Sequence, residues 1–153
     1  MNIQAAGTIF IARSTKRILL NFRSTTVSKP NCWGFWGGKI NQDETILQGL
    51  EREIKEEVGF LPAYERISVI DQFVSPDGFF TYSSFAIITS TEFLPIINDE
   101  SVGYAWVSFK SYPKPLHPGA KALLENESVT TCLLKLLDSP NGSNFPTASD
   151  IKT

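Results

Sequence analysis

GKINQDETILQGLEREIKEEVGF, the stretch from Gly38 to Phe60, carries the clearest local signals in the chain. Thr45 followed by Gln48 has the spacing of a capping box, in which two side chains satisfy each other's free backbone N–H groups, so a helix starts at Thr45. Gly59, after Val58, supplies the left-handed residue that stops one. The expected helix runs from about Ile46 to Val58. At ~100° per residue, Ile46, Leu47, Leu50, Ile54 and Val58 share an arc of ~120°, the face that docks on a sheet. Glu56, Glu53 and Glu57 fall near ~280°, ~340° and ~20° on the same wheel, a neighbouring acidic arc with Glu57 at the apolar border.

Like charges at this spacing cost a helix a few tenths of a kcal/mol each, and partial burial raises the penalty. A hard divalent cation removes the conflict, because Mg²⁺ takes oxygen ligands and uses a few carboxylates together with waters and substrate phosphates. Gly49 lies inside the acidic arc, where it either leaves room for a metal and phosphates or permits a close helix contact. Taken alone, an Arg-Glu-Ile-Lys-Glu-Glu run is also what a solvated helix face looks like.

Outward from this segment, the 153 residues with 42% hydrophobic content suit one domain with a real core. Ala5 to Ala12 and Arg17 to Phe22 are β-rich runs separated by four residues, a hairpin pattern. Ala5 to Ala12 has no basic residue ahead of it and Arg13 after it, so it reads as a strand and not a signal peptide. No other segment could span a membrane, and a cytoplasmic location is expected. Cys32 and Cys132 lack metal-type spacing and are expected as reduced thiols. Cys32 to Ile40 reads as one aromatic strand whose glycines admit close approach. Arg66 to Val74 and Phe79 to Thr89, with Pro76, Asp77 and Gly78 between them, read as a long hairpin. Tyr104 to Phe109 is a last strand, and Pro118 to Glu125 and Ser128 to Leu137 are helices. The domain is expected over 1–138 and a flexible tail over 139–153. Strands first, one central helix, more strands and then helices give an α/β protein with helices packed on a mixed sheet.

The net charge of -2 conceals an asymmetry. Residues 1–42 hold six bases and no acid, and the remainder holds eight bases against sixteen acids. The first third is therefore a candidate surface for an anionic substrate.

The full spacing changes the weight of the acidic run. Gly38, five residues, Glu44, seven residues, then Arg52 to Phe60 matches the 23-residue Nudix box with its nine constrained positions filled. The chain thus strongly resembles the Nudix hydrolases, on a motif covering about a sixth of its length. The resemblance implies an α/β/α sandwich around a mixed sheet and a divalent metal cofactor, Mg²⁺ with Mn²⁺ as a possible substitute. It assigns Glu53, Glu56 and Glu57 as metal ligands, the Gly38 carbonyl as a further one, and Glu44 with Arg52 as a brace that orients the box loop. It implies hydrolysis of a nucleoside diphosphate linked to another group, with water attacking phosphorus. Glu56 and Glu100, the latter in the loop before the last strand, are the two candidates for general base. Where many members carry proline before the two glycines this chain has Trp36, either a core residue or a platform for a substrate base.

Substrate choice lies outside the box. Pro76, sixteen residues past Phe60, resembles the pattern of ADP-ribose-cleaving members and is also an ordinary turn proline. Phe80 and Tyr82 are candidates to stack on a base, and Arg23 and Lys39 to meet phosphates. His117, next to a helix start, is expected in a cap-region or surface role and not in catalysis. Three functions fit these residues. The first is a pyrophosphatase of nucleoside diphosphate derivatives such as ADP-ribose, dinucleotide cofactors or dinucleoside polyphosphates. The second is the same chemistry on nucleoside triphosphates or an RNA 5′ end, and the third a silent nucleotide-binding module. The complete glutamate set argues against the third. A monomer or a homodimer suits the sequence equally.

Overall fold

The fold rests on a computed structural model that describes residues 2–138; the tail expected over 139–153 lies outside the described residues. β1 (Ile3–Ala12) and β2 (Arg17–Arg23) form the expected hairpin, but they pair only where Phe10 faces Leu19 and Ile11 faces Ile18. The outer edge of β1 is taken along its whole length by β6 (Phe80–Thr89), in parallel, and β5 (Arg66–Val74) pairs antiparallel with β6 beyond it. On the far side, β7 (Ser101–Ser108) runs antiparallel along all of β2.

The inner edges of β1 and β2 separate beyond the Phe10–Leu19 pair. Two short strands occupy the resulting fork, β3 (Trp33–Gly34) on β2 and β4 (Trp36–Lys39) on β1. The single aromatic strand expected over Cys32 to Ile40 is therefore two. A continuous strand cannot follow both diverging partners, so the chain crosses from one to the other at Phe35. Gly37 makes the landing possible: its φ is +145°, and a side chain there would stand 2.1 Å from the Ala6 carbonyl oxygen. Trp36, beside it, is fully buried and donates from Nε1 to the Leu19 carbonyl at 3.2 Å. The reading of Trp36 as a platform for a substrate base is corrected accordingly, because no face of the ring reaches solvent.

Alternation along the strands builds the layers. Ala6, Phe10, Leu19, Phe85 and Ile87 face α1 (Ile46–Val58), which presents Ile46, Leu50, Ile54 and Val58 to them. Ile9, Ile11, Leu20, Ala86 and Ile88 face the other way, under α2 (Pro118–Leu124) and α3 (Glu127–Asp138). The molecule is an α/β/α sandwich. α1 begins and ends as its residues require: the Thr45 hydroxyl accepts from Gln48 N at 3.1 Å, Gln48 Oε1 accepts from Thr45 N at 2.9 Å, and Gly59 stops the helix at φ +90°. The last strand begins three residues before the expected Tyr104, because pairing with β2 continues through Arg23 opposite Ser101. Cys32 and Cys132 are both free thiols, and among the described residues no helix is long and apolar enough to cross a membrane.

Candidate active site

α1 carries its acidic residues along the mouth of the fork. Glu57, at the apolar border of the helix, is only 6% exposed and accepts a hydrogen bond from Gly37 N at 2.8 Å. Desolvation, above all, pushes its carboxyl up to about 8; the charges of Glu53 and Glu100 add to the rise, while the Gly37 N–H and Arg23 oppose it. Glu53 is also raised, first by burial and further by Glu56 and Glu100, against the opposing hydrogen bond from Arg52. Its carboxylate lies directly against Gly38, where a Cβ would come within 2.5 Å of the carboxyl carbon. Any side chain at that glycine would displace the glutamate.

Arg52 organises the loop ahead of α1. Its guanidinium makes a two-point contact with Glu44, at 2.7 and 2.9 Å, and donates to the Lys39 carbonyl at 3.0 Å. Glu44 in turn accepts from Asn41 N at 2.8 Å, and the Arg52 hydrogen bond holds its carboxyl below the usual range. Arg52 also reaches Glu53 at 3.0 Å and the more exposed Glu56 at 3.4 Å. Gly49 serves this brace and not an open site. A side chain there would meet Ile40 Cδ1 at 2.5 Å and Glu44 Oε1 at 3.3 Å, so the space considered for metal and phosphates is filled by the loop itself.

The opposite wall comes from the segment ahead of β7. Ile96 N donates to the Val58 carbonyl at 2.8 Å and Asn98 Nδ2 to the Glu56 carbonyl at 3.0 Å, which ties the segment to the end of α1. Asn98 Oδ1 accepts from Glu100 N at 3.0 Å, and the Glu100 carbonyl accepts from Ser24 N at 2.9 Å. Glu100 is thereby brought to the same pocket as Glu57. That pocket, about 290 Å³, is lined by Asn21, Arg23, Val27, Ser28, Gly37, Glu57 and Glu100. Asn21, Ser24 and Asn98 were not singled out from the sequence, since isolated amides and hydroxyls in strands and loops carry no pattern.

The other expected contacts are divided between this pocket and distant parts of the surface. Arg23 is on the pocket wall, its guanidinium donating to the Ser28 and Lys29 carbonyls at 2.6 to 3.2 Å. Lys39 opens instead onto a cleft of about 630 Å³ with Asn2, Gln4, Asn41 and Gln42, away from the buried glutamate. Tyr82 lies over Gly7, where a Cβ would be 2.0 Å from its hydroxyl oxygen. Desolvation and the Glu57 charge push that hydroxyl up to about 12. Phe80 does not line the carboxylate pocket; it sits near the hairpin tip with its ring centroid 6.5 Å from that of Phe73. Pro76 is part of that tip, in a turn closed by Gly78 N on the Ser75 carbonyl at 2.8 Å. His117 caps α2, its Nδ1 accepting from Gly119 N at 3.0 Å. Among the described residues no three His, Cys, Asp or Glu side chains are arranged to hold a metal ion by themselves.

A braced loop, a capped helix and a buried glutamate beside two glycines in a forked mixed sheet are the parts of a Nudix site. The chain belongs to the Nudix hydrolase family of pyrophosphohydrolases, the NUDIX domain matching residues 1–126. No curated protein matches it. Among solved structures it is similar to the Nudix hydrolase RenU of M. smegmatis, with 25% identity, a TM-score of 0.69, and 84% of this chain and 85% of that one covered. The NUDIX domain of Shewanella oneidensis NrtR, solved with ADP-ribose, aligns at TM-score 0.64 and 18% identity over 87% of this chain and 89% of that one. The E. coli dihydroneopterin triphosphate pyrophosphohydrolase aligns at 0.58 and 23% over 89% and 95%. These likenesses establish the fold, and the family generally uses divalent cations.

Proposed function

We propose that the protein hydrolyses the pyrophosphate bond of a nucleoside diphosphate joined to a second group, of which ADP-ribose is the type, by attack of water at phosphorus. The observation that carries this reading is Glu57. A carboxylate 6% exposed, with acids Glu53 and Glu100 acting on it, is unstable as an anion unless a cation joins it.

The donor set fits a hard divalent ion. Glu53, Glu56 and Glu57 would hold it, with the Gly38 carbonyl as a further oxygen. Mg²⁺ keeps several waters and binds through one or two carboxylates plus substrate phosphates, so a closed cage of side chains is not required. Bound there, Mg²⁺, or Mn²⁺ in its stead, would neutralise phosphate charge and make water easier to deprotonate. Arg52 fixes Glu53 and the loop, so the carboxylates need little reorganisation as substrate arrives. Glu100, held by Asn98 and Ser24 across the pocket from α1, accepts the proton of the attacking water. Glu56, 54% exposed at its side chain and engaged by Arg52, serves as the outer ligand. Arg23, whose present partners are loop carbonyls, offers its guanidinium to a phosphate oxygen.

Charge favours a diphosphate derivative over a triphosphate. The pocket wall contributes one guanidinium against two carboxylates, which leaves less compensation for the more highly charged ligand. The NrtR domain, with the same fold, was solved with ADP-ribose, so this architecture can hold such a ligand. Incubation with Mg²⁺ or Mn²⁺ and a nucleotide panel tests the reading. AMP and ribose 5-phosphate from ADP-ribose are expected. Pyrophosphate released from a nucleoside triphosphate in preference would move the substrate to the second class, and no turnover across the panel would contradict the proposal.

A further inference from the structure

Asn21 lies on β2 between Gly34 of β3 and Tyr104 of β7, 3% exposed, on the wall of the carboxylate pocket. Its Nδ2 donates to Ser101 Oγ at 3.1 Å, but its Oδ1 is buried without any hydrogen-bond partner. A buried acceptor left unpaired is unfavourable, and at the edge of a binding pocket it marks a place where a ligand completes the pairing.

A Cβ built on Gly34 would stand 3.5 Å from Asn21 Oδ1, 3.5 Å from His117 Cβ and 3.6 Å from Arg23 Cδ, all ordinary contacts. Because residue 34 is glycine, no side chain of its own covers Oδ1, whereas a methyl there would lie against that oxygen. The stem of Arg23 lies beside it, a flexible side chain whose guanidinium is held by exposed loop carbonyls. The oxygens of a pyrophosphate linkage carry no hydrogen to donate at neutral pH. An amine or a hydroxyl does.

We propose that Asn21 and Gly34 form a specificity niche in which Asn21 Oδ1 accepts a hydrogen bond from a donor on the nucleoside part of the substrate, an exocyclic amine or a ribose hydroxyl. The assignment rests on the nucleotide-hydrolase reading above. It makes recognition of the nucleoside a property of the β2–β3 end of the fork, while the phosphates face α1. A site built around a hydrogen bond rejects the analogue lacking that group far more strongly than an apolar pocket rejects a missing methyl.

The test compares matched substrates: adenosine diphosphate derivatives against their purine-riboside and 6-methylpurine counterparts, which lack the amine, and against their 2′- and 3′-deoxy forms, which lack a hydroxyl. The wild-type chain is expected to lose about ten-fold or more in kcat/KM with one of these analogues, and which one separates amine from hydroxyl. Asn21→Leu removes the acceptor, and Gly34→Ala sets a methyl against Oδ1 without a clash. Both are expected to bring the ratio within about three-fold of unity. Equal use of all analogues by the wild-type chain, or a preference that survives in both variants, would overturn the niche. Should Asn21→Leu fail to fold, Gly34→Ala decides alone. If the chain hydrolyses none of these substrates, the nucleotide-hydrolase reading fails. Calorimetric binding of AMP, purine riboside monophosphate and deoxy-AMP to the same three proteins then still gives the ratios by which the niche stands or falls.

Discussion

Glu57 shows most directly how one side chain links stability to chemistry. Its carboxyl is pushed up to about 8 mainly by burial, so between pH 4.5 and 8 the folded state keeps a proton that the unfolded chain has released. In that window stability falls as pH rises, by a few kcal/mol at the upper end as an order of magnitude. Glu57→Gln keeps an acceptor for the Gly37 N–H and removes the charge. The metal-free variant is expected to melt above the wild type at pH 8, with the gap closing towards pH 5. Differential scanning calorimetry at the two pH values checks this, and equal melting temperatures at pH 8 would mean that the carboxylate is not buried as described. The same substitution should lower turnover at least ~100-fold in the presence of Mg²⁺. A variant that is more stable and inactive is the signature of a functional acid held against the preference of the fold. Glu100→Gln separates roles: turnover falls while metal affinity, read by titration of Mn²⁺, changes little. Arg52→Gln should lower both affinity and turnover by about 10 to 100-fold, because it releases the loop without removing a ligand.

At the scale of elements, α1 was legible from the sequence almost to the residue. Thr45, Gln48 and Gly59 are local signals whose meaning does not depend on the rest of the chain, and Leu50 and Ile54 fall on the buried face that their period requires. Thr45→Ala is expected to cost about 1 kcal/mol of unfolding free energy, measured by urea titration. The fork was not legible. Nothing in Trp33 to Lys39 states that β1 and β2 diverge after Phe10 and Leu19, and that divergence, decided by pairing between distant segments, is what splits the aromatic stretch into two strands. Gly37 is its cost-bearing residue. Gly37→Ala would force a methyl against the Ala6 carbonyl at a φ of +145°, a change expected to destabilise by roughly 2 kcal/mol or more. Of the site, the clustering of the glutamates on one face of α1 could be read from the helix period, while the Glu44–Arg52 pairing was implied only by the resemblance to the Nudix box. Asn98 and Asn21 could not be read, since each acts through backbone or strand neighbours far away in sequence.

For the whole molecule, the charge asymmetry of the first third does not fold into one anion-binding face. Arg13 pairs with Glu65 at 2.6 Å and Arg17 with Glu92 at 2.6 Å, so two of the early cations are neutralised by later acids that do not line the carboxylate pocket. Arg23 alone of the six lines the carboxylate pocket. Two apolar layers, one under α1 and one under α2 and α3, hold the sheet so that the fork opens at the end where Gly37 meets Glu57. The proposed function makes this meeting point a divalent-cation site for splitting a nucleoside pyrophosphate. The most direct measurement is the rate of AMP release from ADP-ribose as Mg²⁺ is titrated into metal-free wild-type protein and Glu57→Gln in parallel. Saturable, metal-dependent release by the wild type and loss of at least ~100-fold in the folded variant are expected. Release that is independent of added metal and of chelator, or that persists in the folded Glu57→Gln variant, would contradict the proposed function.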